Sequence, residues 1–199
     1  SKYDLHDKKI LEIGCGKGDF LALLCTLGNN TGLGIDPAYV KDRIKGNDME
    51  RLSFIRDFYS EKYSEYAGDF VCCRHTLEHI PNTGEFVKTV RRSIGNNLNT
   101  TVFFEIPDVR RVLKECAFWD IYYEHCSYFS PGSLARLFRS CQFEVIDLYL
   151  DFNDQYLLIE AKPVKQKSEK IHPLEESFEE LSNDVNQFVS VCRTNLGQW

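Results

Sequence analysis

Residues 11–20, Leu-Glu-Ile-Gly-Cys-Gly-Lys-Gly-Asp-Phe, constrain the fold more than any other stretch of the chain. A buried strand, Lys9–Ile13, runs into glycines at alternate positions, Gly14, Gly16 and Gly18, and an apolar helical repeat starts at Phe20. Strand, tight turn and helix in that order open a βαβ unit, which commits the chain to a parallel sheet covered by helices. Without a Cβ, the three glycines let the turn double back and bring backbone N–H groups close to a ligand. The spacing is not the G-x-G-x-x-G of dinucleotide-binding loops, and an acidic residue, Glu12, stands inside the strand end.

The same alternation continues along the chain. Apolar spacing predicts helices over 20–27, 86–94 and 133–140 and strands over 33–35, 52–55, 70–73 and 102–106. Gly28-Asn29-Asn30 stops the first helix, and Ser130-Pro131-Gly132 starts the third. Residues 143–150 and 155–161 read as two strands around a turn at 151–154, so the final pair is antiparallel. An α/β fold follows, with seven mostly parallel strands, an antiparallel last strand and helices on both faces. Residues 1–163 form one domain in this reading. Residues 164–199 are a charged linker and an amphipathic helix over 173–196.

At 199 residues the chain is one domain with an appendage. A net charge of −6 offers nothing to nucleic acid or to an anionic membrane surface. No apolar run approaches the ~18 residues of a bilayer span. The polar start, residues 1–7, leads straight into a strand, so no secretory leader is expected. Eight cysteines show no pair of C-x-x-C knuckles and read as small buried hydrophobes in a reducing cytoplasm.

Glu12-x-Gly14-x-Gly16-x-Gly18, followed by Asp36 at the end of the next strand in Thr-Gly-Leu-Gly-Ile-Asp-Pro, resembles the first motifs of class I S-adenosylmethionine-dependent methyltransferases. The resemblance covers residues 8–162 and implies a Rossmann-like fold with S-adenosyl-L-methionine as cofactor and S-adenosyl-L-homocysteine as product. It places Glu12 and the backbone of Gly14, Cys15, Gly16 and Gly18 at the methionine end. It places Asp36, with Pro37 beside it, on the ribose hydroxyls, Asp57 and Phe58 at the adenine, and Arg74 and His75 near the methionyl portion. An acidic, dipole-rich pocket suits the cationic sulfonium.

Two further stretches bear on chemistry. Arg74-His75-Thr76-Leu77-Glu78-His79-Ile80-Pro81 carries two histidines at i and i+4, but Glu78 directly precedes the second histidine, unlike the zincin order, and no metal site is expected. Leu-Glu-His-Ile-Pro also matches a stretch that follows the fourth strand of class I methyltransferases. The second stretch is Tyr122-Tyr123-Glu124-His125-Cys126-Ser127-Tyr128-Phe129-Ser130, preceded by Phe104-Glu105-Ile106-Pro107. Together they resemble the sugar C-methyltransferases, which methylate a carbon next to the carbonyl of a nucleotide-linked 4-keto-deoxysugar. Where those relatives have Tyr-His-Glu-His, Tyr123 stands in place of the first histidine.

Methylating carbon requires removal of an α proton, and the resulting enolate then takes the methyl group. The resemblance implies His125 as the base, since imidazole titrates near neutral pH. Glu124 orients it or holds a sugar hydroxyl, and Tyr122 hydrogen-bonds the developing enolate oxygen. The expected partner is a small-molecule acceptor, by preference a nucleotide-sugar, and neither nucleic acid nor membrane. The alternatives are O- or N-methylation of another metabolite and a non-catalytic cofactor-binding docking domain. Sugar C-methyltransferases also carry an N-terminal zinc-binding domain and a C-terminal domain, and these residues resemble neither. The helix over 173–196 resembles the one that leads into that C-terminal domain, so it is expected to serve a dimer or a flanking domain, or to pack on its own domain.

Overall fold

The computed structural model describes residues 4–41, 50–66 and 68–197. Seven strands form one sheet: β1 (Lys9–Ile13), β2 (Thr31–Ile35), β3 (Leu52–Ile55), β4 (Phe70–Arg74), β5 (Thr101–Pro107), β6 (Phe143–Asp151) and β7 (Tyr156–Pro163). Their spatial order is β3-β2-β1-β4-β5-β7-β6. β1 to β5 pair in parallel, and β7 runs antiparallel between β5 and β6. The strand order reverses between β1 and β4, which opens a crevice at their C-terminal ends.

Period-two alternation builds a layer on each face of this sheet. Ile10, Phe70 and Cys72 pack with Leu21 and Cys25 of α1 (Asp19–Gly28). Leu11, Ile13, Val71, Cys73, Val102 and Phe104 point the other way. They meet Val87, Val90 and Ile94 of α2 (Thr83–Ile94) and Leu134, Ala135 and Phe138 of α4 (Pro131–Ser140). Phe104 stands edge-on to Phe138 at 5.1 Å. Both rings are fully buried, and each contributes roughly 1.5–3 kcal/mol by leaving water.

Local chemistry sets the helix ends. α1 closes on Asn29 in the left-handed conformation, its N–H bonded to the Cys25 carbonyl. α4 opens with a capping box between Ser130 and Ser133 and with Pro131 in its first turn. α2 starts at Thr83, one turn before the apolar repeat at Phe86 makes it visible. A helix absent from the sequence reading, α3 (Val109–Glu115), opens on Asp108, whose carboxylate accepts the N–H groups of Arg110 and Arg111 at 3.1 Å.

The last helix, α5 (Phe178–Leu196), is shorter than the apolar spacing over 173–196 predicts. Residues 173–177 are instead drawn onto α4. Glu175 pairs with Arg139, and the Glu176 carboxylate accepts Ser130 Oγ at 2.6 Å and the Gly132 N–H at 2.9 Å. α5 then lies against α3, where Arg110 Nε donates to Asp184 at 2.7 Å. Among the described residues no helix is long and apolar enough to cross a membrane.

Candidate active site

The glycine loop leaves β1 and lies against the end of β2. The Gly14 N–H donates to the Ile35 carbonyl at 2.8 Å, and the Gly16 N–H donates to Asp36 Oδ2 at 2.8 Å. The other Asp36 oxygen accepts the Ala38 N–H at 2.7 Å, beyond Pro37. Gly14, Gly16 and Gly18 all have positive φ, at 73°, 53° and 82°. A Cβ on Gly14 would lie 1.9 Å from Thr76 Oγ1, whereas a Cβ on Gly16 would meet nothing within 4 Å. The chain is therefore pressed to the protein at Gly14 and open at Gly16.

Glu12 is buried beneath this loop, and its Oε2 has no hydrogen-bond partner. Burial pushes its carboxyl up to about 8, against the pull of the Arg74 guanidinium. Burial likewise pushes the Cys15 thiol up to about 12, so Cys15 is an inert packing residue in the loop. A buried carboxyl with one unpaired oxygen, an open glycine and the Asp36 carboxylate fit a cationic nucleoside cofactor with a ribose diol.

The other residues expected at the cofactor have protein partners of their own or lie exposed. The Asp57 carboxylate accepts the Phe58 N–H at 2.8 Å and the Tyr63 hydroxyl at 2.5 Å, and pairs with Lys62. Hydrogen bonds from Lys62 and then Tyr63 hold its carboxyl down at about 2. Phe58 itself is exposed. The Arg74 guanidinium lies over the Phe20 ring at 4.3 Å and donates twice to Glu105, at 2.8 and 3.0 Å. His75 sits in the left-handed region at φ 48°, with Nε2 2.8 Å from Glu105 Oε1. Burial pushes the Glu105 carboxyl up, but the hydrogen bonds from His75 and Arg74 outweigh it and hold the group at about 2. Glu105 thus anchors both β4-end residues, and His75 lines a cavity at this end of the sheet.

That cavity, of about 210 Å³, lies between the ends of β4, β5 and β7. Its walls include His75, Glu78 and His79 from the β4 end, Asp108 and Arg111 from the β5 end, and Tyr156 from β7. The segment 120–128 closes it with Asp120, Tyr122 and His125. The Cys126 and Ser127 N–H groups donate to the Glu78 carbonyl at 2.7 and 3.2 Å, and Arg111 holds Asp120 at 3.0 Å. The Tyr128 hydroxyl accepts the Tyr122 N–H and donates to the Tyr122 carbonyl, closing the segment on itself.

His125 stands in a ring of aromatic neighbours: His79 at 5.0 Å, Tyr122 at 5.1 Å and Tyr128 at 5.6 Å between centroids. Its Nδ1 is buried without a partner. Burial and the neighbouring His79 lower its pKa and favour the neutral imidazole. The Glu124 side chain is exposed, and it is the Glu124 main-chain carbonyl that is engaged, by His79 Nδ1 at 3.1 Å. Tyr123, at the position where the sugar C-methyltransferases have a histidine, is fully exposed.

Several cavity residues escaped the sequence reading. Burial raises the Asp108 carboxyl to about 6, against the N–H groups of Arg110 and Arg111. Its signal was the strand-end Pro107-Asp108 that precedes a helix. Tyr156 had no local signal. It reaches the site because β7 is reversed and begins where β5 ends, with Pro107 opposite Tyr156.

Residues 1–148 match the methyltransferase domain family. The chain belongs to that family and carries a methyltransferase domain. It is 29% identical over 160 residues to the C-methyltransferase NovU of Streptomyces niveus, covering 77% of this chain and 37% of that protein. Among solved structures it resembles N,N-8-amino-8-demethyl-D-riboflavin dimethyltransferase from Streptomyces davawensis, with a TM-score of 0.64 at 18% identity over 81% of this chain and 51% of the other. It also resembles human N-acetylserotonin methyltransferase in complex with S-adenosylmethionine, with a TM-score of 0.63 at 14% identity over 81% of this chain and 49% of the other. The chain thus spans about half or less of the length of these relatives.

Proposed function

We propose that this domain transfers a methyl group to a carbon next to the carbonyl of a nucleotide-linked keto-deoxysugar, with His125 as the base. The single observation that carries the reading is the placement of His125, whose ring lines the cavity at the ends of β4, β5 and β7 with a buried nitrogen that has no hydrogen-bond partner. The likeness to a C-methyltransferase supports methylation at carbon. S-adenosylmethionine, when bound, supplies the methyl group as an electrophile.

The chain's own residues do the rest. His125 takes the α proton, which leaves an enolate whose carbon forms the new bond as the methyl–sulfur bond breaks. Tyr122 supplies a hydroxyl for the enolate oxygen, and the exposed Glu124 is left to a sugar hydroxyl at the cavity mouth. A positioned base of this kind is worth about 10²–10⁴-fold. Among the described residues that line the cavity, Arg111 is the one arginine or lysine, and it is already paired with Asp120. The nucleotide diphosphate therefore lies outside this cavity, and only the keto-sugar enters it. A cytoplasmic location is part of this proposal, and the buried free cysteines suit a reducing compartment.

The test is turnover with nucleotide-linked 4-keto-deoxysugars in deuterated water. The expected results are a methyl group on carbon, solvent deuterium at the α position of recovered acceptor, and loss of both in His125→Ala with S-adenosylmethionine affinity retained. A methyl group on oxygen or nitrogen, or normal turnover in His125→Ala, overturns the reading.

A further inference from the structure

We propose that Glu78, His79 and His125 form a binding site for one divalent transition-metal ion of the zinc type, at the mouth of the acceptor cavity. One ligand atom from each of the three lies within 4.8 Å of the other two. Two imidazoles and a carboxylate form a borderline-hard donor set that suits zinc and its neighbours rather than magnesium or calcium, and three protein ligands leave a position open for solvent or substrate.

Two independent observations distinguish this cluster from a chance meeting of polar side chains. Glu78 is only 3% exposed, yet its Oε2 has no hydrogen-bond partner, and the same is true of the buried Nδ1 of His125. Unpaired polar atoms at such depth are destabilising, and a coordinated cation would satisfy both at once. His79 is oriented from behind: its Nδ1 faces the Glu124 carbonyl at 3.1 Å. A carbonyl only accepts, so Nδ1 carries the proton and Nε2 keeps its lone pair, which is how a metal-bound histidine is usually held. The same segment that brings His125 in, pinned by Cys126 and Ser127 to the Glu78 carbonyl, fixes the spacing of all three ligands.

The site goes beyond the proposed reaction and bears on it. With His125 as the base, an ion on its ring removes the lone pair that accepts the proton, so the loaded domain is silent and a chelator restores it. That consequence rests on the proposed function, whereas the site itself does not.

Cobalt(II) titrated into the intact chain tests the site directly through its d–d absorption. One equivalent should bind with a nitrogen and oxygen spectrum, and His79→Ala and Glu78→Gln should each weaken binding about 10- to 100-fold or more. His79 is exposed, so its variant probes the ion without threatening the core. Cys126→Ser, whose thiol lies 3.5 Å from the His79 carbonyl, should bind as the parent does. The proposal is overturned if no cobalt binds, if binding is unchanged in His79→Ala, or if a sulfur-to-cobalt band appears that is lost in Cys126→Ser. Cobalt binding without inhibition of methyl transfer would leave the metal site standing and overturn His125 as the base.

Discussion

Two glycines two residues apart behave oppositely because one touches protein and the other faces open space. Gly14→Ala drives a methyl group into Thr76 at positive φ and should cost about 1–3 kcal/mol of stability. Gly16→Ala bears only left-handed backbone strain, roughly 1–2 kcal/mol, but places its methyl group in the open space over the loop, so it should weaken S-adenosylmethionine more than it destabilises the fold. Urea melts and calorimetric titrations on both variants separate the two effects. Glu12 carries the pH dependence of the same site. Its folded pKa of about 8 lies above the ordinary 4.5, so the folded protein keeps a proton that the unfolded chain releases. Stability therefore falls as pH rises from about 4.5 to 8. Glu12→Gln should remove that slope and gain on the order of 1–3 kcal/mol at pH 8.5, read from melts at pH 6 and 8.5. A bound sulfonium should also expel the Glu12 proton. S-adenosylmethionine should then release more protons near pH 7 than S-adenosylhomocysteine does, which titrations in buffers of different ionisation enthalpy will show.

Short elements carry the site as much as long ones do. α3 is only seven residues, and its start rests on Asp108, which also forms part of the cavity wall. Asp108→Ala should lose about 1 kcal/mol with the cap, a drop of roughly 2–4 °C in Tm, while Asp108→Asn keeps an accepting oxygen and most of the stability. Thermal melts of the two variants decide it. The strands were legible because buried parallel strands are short apolar runs with abrupt ends, as at 10–13 and 70–73. α3 was not, since Val109, Val112 and Leu113 stand at helical spacing but seven residues span only two turns, too few to establish a period. The first turn of α2 was hidden because Thr83, Gly84 and Glu85 give it no apolar position. The glycine loop and Asp36 were readable because their spacing is local. The contacts of Arg74 and His75 were not, because both turn to Glu105, 30 or more residues away in sequence and beside them only across the β4–β5 ladder.

At the scale of the molecule, the segment after the sheet is fastened rather than merely adjacent. Glu176 is buried and satisfies donors at the N-terminus of α4, and Asp184 pairs with Arg110 on α3. Glu176→Ala leaves Ser130 and the Gly132 N–H short of an acceptor and should cost about 1–3 kcal/mol. It should also speed protease cleavage between residues 164 and 177 while leaving S-adenosylmethionine affinity unchanged, since the glycine loop lies elsewhere. The antiparallel insertion of β7 between β5 and β6 has a consequence for how the chain is made. Residues 11–36, which carry the glycine loop and Asp36, leave the ribosome before the rest of the sheet and pair with near neighbours. The edge of β5 stays open until residues 156–163 emerge and slot in beside it, and only then does Tyr156 complete the cavity wall. During synthesis the half-built domain therefore has its glycine loop long before the wall that Tyr156 adds, and the bare edge of β5 is where a nascent chain is most exposed to pairing with a neighbour.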